Sequence, residues 1–462
     1  MRLLAPLAAA LLLALAPVQA REWTVPADTG VIGVERSQLD PQYWIARLAR
    51  PDRVVLDADA IARQNARLYA IDPSMHDLAA LPDALPRATV APWVTRLSAP
   101  PKRALFDAQG RPMPAAAVAA IVANADVAGI DATRPTRYGL VVRRAPLRAF
   151  PTLQPAFSSA DDRDIDRFQE SALFPGDPVA VAHESRDGRW WFVVSPRYAA
   201  WIEKRHVAIG DKAAVLGHAR KAPYRVVTGG EVHTVFTPEA PAVSELQLDM
   251  GVRVPVLADW PVATPVNGQQ GYTAHVVELP VRKADGSLGF SPALLPRIEP
   301  SSADYLPLTQ ANIIRQAFRV LGERYGWGHD FNGRDCSGFV SEVYRSMGVE
   351  LPRNTSDQAV SPALNRIALT KDDSRERRLA LVRELQPGDL IYIPGHVMMA
   401  IGQVDGEPYV IHDTTGLSWR DADGTPRRAK TNGVTVSPLT PLMFNGTESF
   451  VDRITNIQRI RP

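Results

Sequence analysis

The chain has 462 residues, of which 45% are hydrophobic and 22% are charged, and its formal net charge is +2. The near-neutral charge argues against nucleic acid as a partner, and the ordinary hydrophobic content argues against a disordered chain. The length predicts about three domains at roughly 150 residues each. The 40 prolines and 30 glycines predict many turns and edge strands rather than long helices.

The first twenty residues have the pattern of an export signal. Arg2 supplies a positive start, residues 3–15 are apolar except for Pro6, and Val18-Gln19-Ala20 is a small-residue cleavage site. The apolar run is too short for a good membrane span, and the alternative is a buried N-terminal helix. We predict a signal peptide at 1–20 and an exported protein, periplasmic or extracellular, that is soluble and has no membrane span once matured.

Cys336 is the only cysteine of the chain. Exported proteins usually carry cysteines in pairs as disulfides, so a lone thiol in an oxidising compartment calls for a reason. Because no cysteine follows the predicted signal peptide, a lipoprotein anchor is excluded. The thiol is therefore a candidate for chemistry.

The residues between the signal and the cysteine fall into three regions. We predict a mainly helical N-terminal cap region, broken by prolines, at residues 21–130. From about residue 138, short β-rich runs alternate with turns such as Pro175-Gly176-Asp177 and Asp187-Gly188, which is the spacing of a small β-barrel. We predict two such barrels, at 131–210 and 211–297, and a last domain at 298–462.

A helix is predicted to begin at the cysteine. After Cys336, apolar residues recur at helical spacing until Gly348, which stops the helix. A helix N-terminus carries about half a positive charge, which should stabilise a thiolate and lower the pKa of the cysteine. The alternatives are a buried core cysteine, and N-capping as the whole role of Asp335 or Ser337.

Two histidines are candidates for the base that a cysteine nucleophile needs and for the group that orients that base. His396 and His412 lie on two predicted neighbouring strands and could meet on one face of a sheet. A single histidine is more often a core or surface residue than a catalyst. We expect Cys336 Sγ at roughly 3–4 Å from one ring nitrogen of His396, with His412 at the other nitrogen.

The pattern resembles the NlpC/P60 family of papain-like cysteine peptidases over about 300–462, with Asp-Cys-Ser-Gly-Phe at 335–339 as its most specific element. The resemblance implies an α+β papain-like catalytic domain in which Cys336 is the nucleophile, His396 the base and His412 its orienting residue. It also implies that Tyr325 lies near the oxyanion site. His329 stands where the family commonly has a second glycine, and the pattern gives it no role.

The two predicted barrels resemble bacterial SH3-like domains, the second mainly by its position. The whole order resembles γ-D-glutamyl-L-diamino acid endopeptidases, which cut peptidoglycan stem peptides between D-glutamate and the diamino acid. The resemblance implies that a free N-terminal L-Ala is held beside the nucleophile. Its expected binding residues are Asp335, Ser337, Thr355, Tyr198 and Glu170.

Two other functions fit the same residues: a catalytically idle wall-binding protein, and an acyltransferase or amidase, since an acyl-enzyme can react with acceptors other than water. The chain has neither an HExxH pairing, nor a Cys/His ligand cluster, nor a P-loop, so we expect no metal and no cofactor. The expected partners are peptidoglycan stem peptides or muropeptides, without nucleic acid, and we expect a monomer.

Overall fold

The computed structural model describes residues 23–461. The predicted signal peptide at 1–20 lies outside these residues, and export stays a prediction. None of the helices between residues 23 and 461 combines the length and the apolar character needed to cross a membrane.

The N-terminal region contains four α-helices and three short strands. Their bounds are α1 Pro41–Ile45, β1 Val54–Leu56, α2 Ala58–Ile71, β2 Ala84–Pro86, α3 Arg87–Leu97, α4 Ala115–Asn124 and β3 Thr133–Pro135.

Seven strands then form one sheet in the order β10-β4-β7-β8-β9-β5-β6. Their bounds are β4 Arg137–Val141, β5 Ala145–Arg148, β6 Gln169–Leu173, β7 Pro178–Glu184, β8 Trp190–Val194, β9 Ala199–Glu203 and β10 Val207–Gly210. The indole of Trp201 is fully buried and donates to Ser98 Oγ at 2.9 Å, which fixes the end of α3 against the sheet. This sheet, here called the first barrel, lies where the first SH3-like domain is predicted.

The next region is built from smaller sheets. Its elements are α5 Lys212–His218, β11 Tyr224–Val227, β12 Glu231–His233, β13 Gln247–Asp249, β14 Arg253–Pro255, β15 Ala274–Arg282, β16 Leu288–Pro296 and β17 Ser301–Ser302. The strands pair as β14-β11-β17, β12-β13 and β15-β16, and these sheets share one hydrophobic cluster that includes Val227, Leu248 and Leu279. They do not form one continuous sheet, and β17 lies beyond the boundary predicted at 297. A second SH3-like barrel therefore stays a prediction.

The last region holds a six-stranded antiparallel sheet in the order β19-β26-β20-β21-β22-β25. Its elements are β18 Leu308–Thr309, α6 Gln310–Phe318, α7 Cys336–Arg345, α8 Thr355–Val360, β19 Asn365–Ala368, α9 Arg375–Arg383, β20 Leu390–Ile393, β21 His396–Val404, β22 Glu407–Thr414, β23 Leu417–Arg420, β24 Pro426–Ala429, β25 Gly433–Pro438, α10 Phe450–Arg453 and β26 Asn456–Arg459. Helices α6 and α7 pack on one face of the sheet.

Helix α7 begins and ends as its sequence predicts. The Asp335 side chain caps it by accepting from Gly338 N–H at 2.8 Å, and Gly348 beyond its end has φ +79°. Phe339 and Val340 are completely buried against the sheet. Full burial of one such side chain stabilises the fold by about 1.5–3 kcal/mol, so the helix and the cysteine at its start are firmly placed.

The N-terminal region is packed onto this last region. The Trp44 ring lies 5.2 Å from that of Tyr409 and belongs to the same hydrophobic core as α7. Strand β1 pairs with β18, and Tyr409 donates to Gly33 O at 2.6 Å. Residues predicted as a separate cap thus complete the core beneath α7.

Candidate active site

Cys336 is the first residue of α7, and only 5% of its surface is exposed. Its Sγ lies 3.4 Å from Thr355 Oγ1, at the start of α8. The backbone N–H of Val397, in β21, also donates to the thiol. The sulfur is therefore held where α7, α8 and the start of β21 meet.

The thiol is neutral in this state. Burial raises the pKa of Cys336 to about 11, and the charge of Asp335 acts in the same direction. Hydrogen bonds from Thr355 and Val397 lower the pKa of the thiol, but by less than burial raises it. The prediction that the helix N-terminus lowers this pKa is wrong here, because desolvation of the sulfur outweighs the partial charge of the helix.

The two candidate histidines meet on one face of the sheet. Strands β21 and β22 pair with Met399 opposite Ile411, so His396 and His412 are diagonal neighbours. His396 Nε2 lies 2.7 Å from His412 Nδ1, and His412 Nε2 lies 3.1 Å from Ser437 Oγ. Because His412 occupies Nε2 of His396, Nδ1 of His396 is the ring nitrogen that can accept a proton from the Cys336 thiol.

The predicted hydrogen bond between thiol and imidazole is not formed among the described residues, because the thiol bonds instead to Thr355 and to the Val397 N–H. Val397 follows His396 directly, so base and nucleophile are nevertheless neighbours. Burial lowers the pKa of His396 to about 4. Both groups are thus neutral at rest, and such contacts often tighten only when substrate binds.

Asp335 does more than cap the helix. Arg353 donates to both of its carboxylate oxygens, at 3.1 and 2.8 Å, and Gly328 N–H donates to one of them at 3.0 Å. Burial opposes ionisation, but the Arg353 guanidinium holds the pKa of Asp335 below its usual value. That Asp335 pairs with the ammonium of a substrate stays a prediction, and in the structure its charge is already neutralised by Arg353.

Arg353 in turn is held by groups that the sequence did not single out. Its Nη2 lies 3.0 Å from His329 Nδ1, and His329 Nε2 lies 2.7 Å from Glu342 Oε1 in α7. With Nδ1 accepting and Nε2–H donating, a neutral His329 satisfies both partners, and burial lowers its pKa to about 4. His329 has φ +66°, which explains why a glycine is common at this position.

Ser337 joins this network without touching the thiol. Its Oγ accepts from Arg353 Nη1 at 3.0 Å and lies 3.2 Å from Asp335 Oδ1. The buried network is therefore Asp335, Ser337, Arg353, His329 and Glu342. The one available signal for its missed members was a glutamate inside an otherwise apolar helix face.

The first barrel reaches the loop that precedes the nucleophile. Gln169 Nε2 donates to Gly328 O at 2.7 Å, and Trp327 Nε1 donates to Gln169 O at 3.0 Å. Arg353 Nε donates to Ser171 Oγ at 2.7 Å. Strand β6 thereby forms one wall beside α7.

Glu170 and Tyr198 lie together on this barrel. Both are partly buried, and the Tyr198 hydroxyl donates to Glu170 Oε2. Burial raises the pKa of Glu170, and the hydrogen bond from Tyr198 lowers it. Within residues 23–461, Glu170 Oε1 has no hydrogen-bond partner, so one oxygen of this carboxyl is open to a donor.

Tyr325 is buried, and the segment that carries it runs beside β25, with Tyr325 N–H donating to Asn432 O at 3.0 Å. Burial raises the pKa of its phenol, and Cys336 adds to that effect. The ring therefore lies near the nucleophile, while its oxyanion role stays a prediction.

Between residues 23 and 461 there is no group of three or more His, Cys, Asp or Glu side chains that could hold a metal ion.

Comparisons with known proteins agree with this architecture. The model of the NlpC/P60 family matches residues 322–436, and the model of the SH3 domain of SH3b1 type matches residues 151–203. A γ-D-glutamyl-L-lysine dipeptidyl-peptidase of Bacillus cereus (strain ATCC 10987 / NRS 248) is 26% identical over 217 residues, 44% of this chain and 54% of the relative. The match thus spans about half the length of that relative.

A similar fold is known from the solved structure of an NlpC/P60 endopeptidase of Photobacterium damselae subsp. piscicida. It has a TM-score of 0.71 and 16% identity, and the match covers 91% of this chain and 96% of that one. At this identity the likeness shows the fold alone. The chain therefore contains an NlpC/P60 family domain together with an SH3 domain of the SH3b1 type.

Proposed function

We propose that the protein is a cysteine endopeptidase that cuts the bond between D-glutamate and the diamino acid in peptidoglycan stem peptides with a free N-terminal L-Ala. The observation that supports this proposal is the pair Glu170 and Tyr198 on the first barrel, since Gln169, next to Glu170, donates to Gly328 O in the loop before the nucleophile. The printed name of the Bacillus cereus relative supports the choice of a γ-D-glutamyl bond.

The chemistry follows from two neutral groups. His396 Nδ1 takes the thiol proton while Cys336 Sγ attacks the γ-carbonyl carbon of D-glutamate. The C–N bond then breaks, His396 returns the proton to the departing amine, and a thioester remains on Cys336. Water attacks the thioester with His396 again accepting a proton, the C–S bond breaks, and the sulfur regains its proton. In this scheme Tyr325 is the nearest candidate to steady the oxyanion.

In this proposal the first barrel closes one end of the substrate cleft and thereby sets the place of the cut. Asp335 is bound to Arg353, so the open oxygen of Glu170 is the acceptor for an ammonium group in this proposal. An N-terminal L-Ala would fill the space between Glu170 and the nucleophile, and D-glutamate would present its γ-carbonyl to Cys336. A stem peptide still linked to muramic acid has no ammonium group and adds bulk at that end.

Mass spectrometry of defined peptides tests the proposal. The free tripeptide L-Ala-γ-D-Glu-diamino acid should give the dipeptide and the free diamino acid, and the muramyl tripeptide should be cut far more slowly. Equal rates on both peptides would contradict the need for a free terminus. No turnover of either would favour a wall-binding role, and transfer of the dipeptide to an added amine in preference to water would favour an acyltransferase.

A further inference from the structure

Asp413 is a buried acid that the proposed chemistry does not use. It follows His412 in β22 and therefore points to the opposite face of the sheet. Tyr409 and Ile411, four and two residues earlier on that face, pack in the core against α7. Asp413 is completely buried on this face. Because Met399 lies opposite Ile411, Asp413 lies at the end of β22 beside Val397, whose N–H donates to Cys336 at the start of α7.

The carboxyl of Asp413 lacks hydrogen bonds that would stabilise a charge. Neither of its oxygens has a hydrogen-bond partner in the described part of the chain. Arg334, the cation that acts on Asp413, is itself bonded to Glu323, at 2.5 and 2.7 Å, and to Glu342, at 2.5 Å. Because a buried carboxylate without partners is very costly, the neutral acid is the stable form.

Other charges around Asp413 favour the neutral form as well. Burial is the largest of the effects that together raise the pKa of Asp413 to about 9; the charges of Glu323 and Asp335 act in the same direction, and Arg334 opposes them. His412 lies on the other face of the sheet, so no imidazole compensates the acid from its own strand.

The acid faces the groups of the candidate site. Asp413 pairs in β22 with Val434 of β25, and the segment with Glu323 and Tyr325 runs along the other side of β25, with Val434 N–H donating to Glu323 O at 3.0 Å. A charge on Asp413 acts on both Cys336 and Tyr325 and raises their pKa values. Like charges close together oppose each other's ionisation.

We propose that Asp413 tunes the nucleophile: as a neutral acid behind Cys336 it permits a thiolate, and when it loses its proton in alkaline solution it suppresses that thiolate. The groups facing it are Cys336 and Asp335 at the start of α7, Tyr325 and Glu323 beside β25, and Arg334 in the loop between them. Asp413 thus acts through Cys336 and is a positioning residue rather than a catalytic one. The inference rests on the proposed role of Cys336 as nucleophile.

Alkylation of Cys336 by iodoacetamide tests this without any substrate, and the signal is specific because the chain has one cysteine. Rates are measured from pH 6 to pH 10.5 for the wild type, Asp413→Asn and the control Asp52→Asn, whose side chain is 75% exposed. At pH 7 all three should react equally, because Asp413 is neutral there. At pH 10 Asp413→Asn should react about three- to tenfold faster than the other two, which corresponds to a lowering of the thiol pKa by about half a unit to one unit.

Superimposable profiles for the wild type and Asp413→Asn would overturn the proposal. Near-ultraviolet circular dichroism checks the fold at each pH, and Asp413→Ser serves as a second neutral variant. If neither variant folds, the wild-type profile decides: a second inflection near pH 9 supports the proposal, and a single titration contradicts it. A shifted alkylation profile without peptide cleavage would refute the peptidase proposal while still showing that Asp413 controls the ionisation of the thiol.

Discussion

Replacing Arg353 by methionine should lower the free energy of unfolding by several kcal/mol, because within residues 23–461 it is the cation that pairs with the buried carboxylate of Asp335. Arg353 is 4% exposed and donates to both oxygens of Asp335, to Ser337 Oγ and to Ser171 Oγ. Its loss leaves Asp335 charged or forces it to take up a proton. Breaking a buried pair in this way typically costs about 3–5 kcal/mol. Methionine keeps the length and the apolar part of the side chain, so the loss reports the charge and its hydrogen bonds.

The assay is urea unfolding at pH 7 of the wild type, Arg353→Met, Asp335→Asn and the double variant. The coupling free energy between the two positions should be about 2–3 kcal/mol. The pH dependence has a definite sign. The pKa of Asp335 is lowered in the folded protein, so its contribution is present above the unfolded pKa of about 4 and is lost as the pH falls through the folded value. A coupling energy under about 0.5 kcal/mol would mean that the two residues do not act as a pair, and Asp335 would again be a candidate for the substrate ammonium.

Three further predictions concern the site. Cys336→Ala should abolish peptide hydrolysis and leave the circular dichroism spectrum unchanged, while chelators should not affect the wild type; residual hydrolysis by the variant would contradict the role of the thiol. Glu170→Gln should lower kcat/KM on the free tripeptide about 30- to 150-fold, since a carboxylate–ammonium contact is worth about 2–3 kcal/mol. It should leave kcat/KM on the muramyl tripeptide unchanged, and equal losses on both substrates would contradict the ammonium contact. The pKa of Asp413 is about 9 in the folded protein and about 4 in the unfolded chain, so the free energy of unfolding of the wild type should fall by about 2–3 kcal/mol between pH 6 and pH 8 in urea unfolding. Asp413→Asn should not show this fall, and parallel losses in both proteins would show that Asp413 is not the cause.

The parts of the fold set by local periodicity could be predicted from the sequence. Helix α7 has a capping aspartate, an apolar face of period 3.6 and a glycine stop, so its start at Cys336 follows from the chain alone. His396 and His412 lie on successive strands joined by a tight turn, and antiparallel pairing brings them together. These features depend on neighbours close in sequence.

The features that depend on long-range packing could not be predicted. Arg353 meets Asp335 only after α8 folds back on α7, and the raised pKa of the thiol depends on how completely other elements cover the sulfur. In the region after the first barrel the strands could be predicted but their pairing could not, because β11 pairs with β14 and with β17, which is distant in sequence. The N-terminal region was predicted as a cap, and only the structure shows Trp44 inside the core under α7.

In the proposed mechanism Cys336 takes up the L-Ala-γ-D-glutamyl group of a free stem peptide. Rapid quenching of the enzyme with the free tripeptide in acid, followed by intact-protein and peptide mass spectrometry, tests it directly. We expect an adduct on Cys336 with the mass of L-Ala-D-Glu less one water, absent from Cys336→Ala and from enzyme mixed with the muramyl tripeptide. Turnover of the free tripeptide without an adduct on Cys336, or with an adduct on another residue, would contradict it.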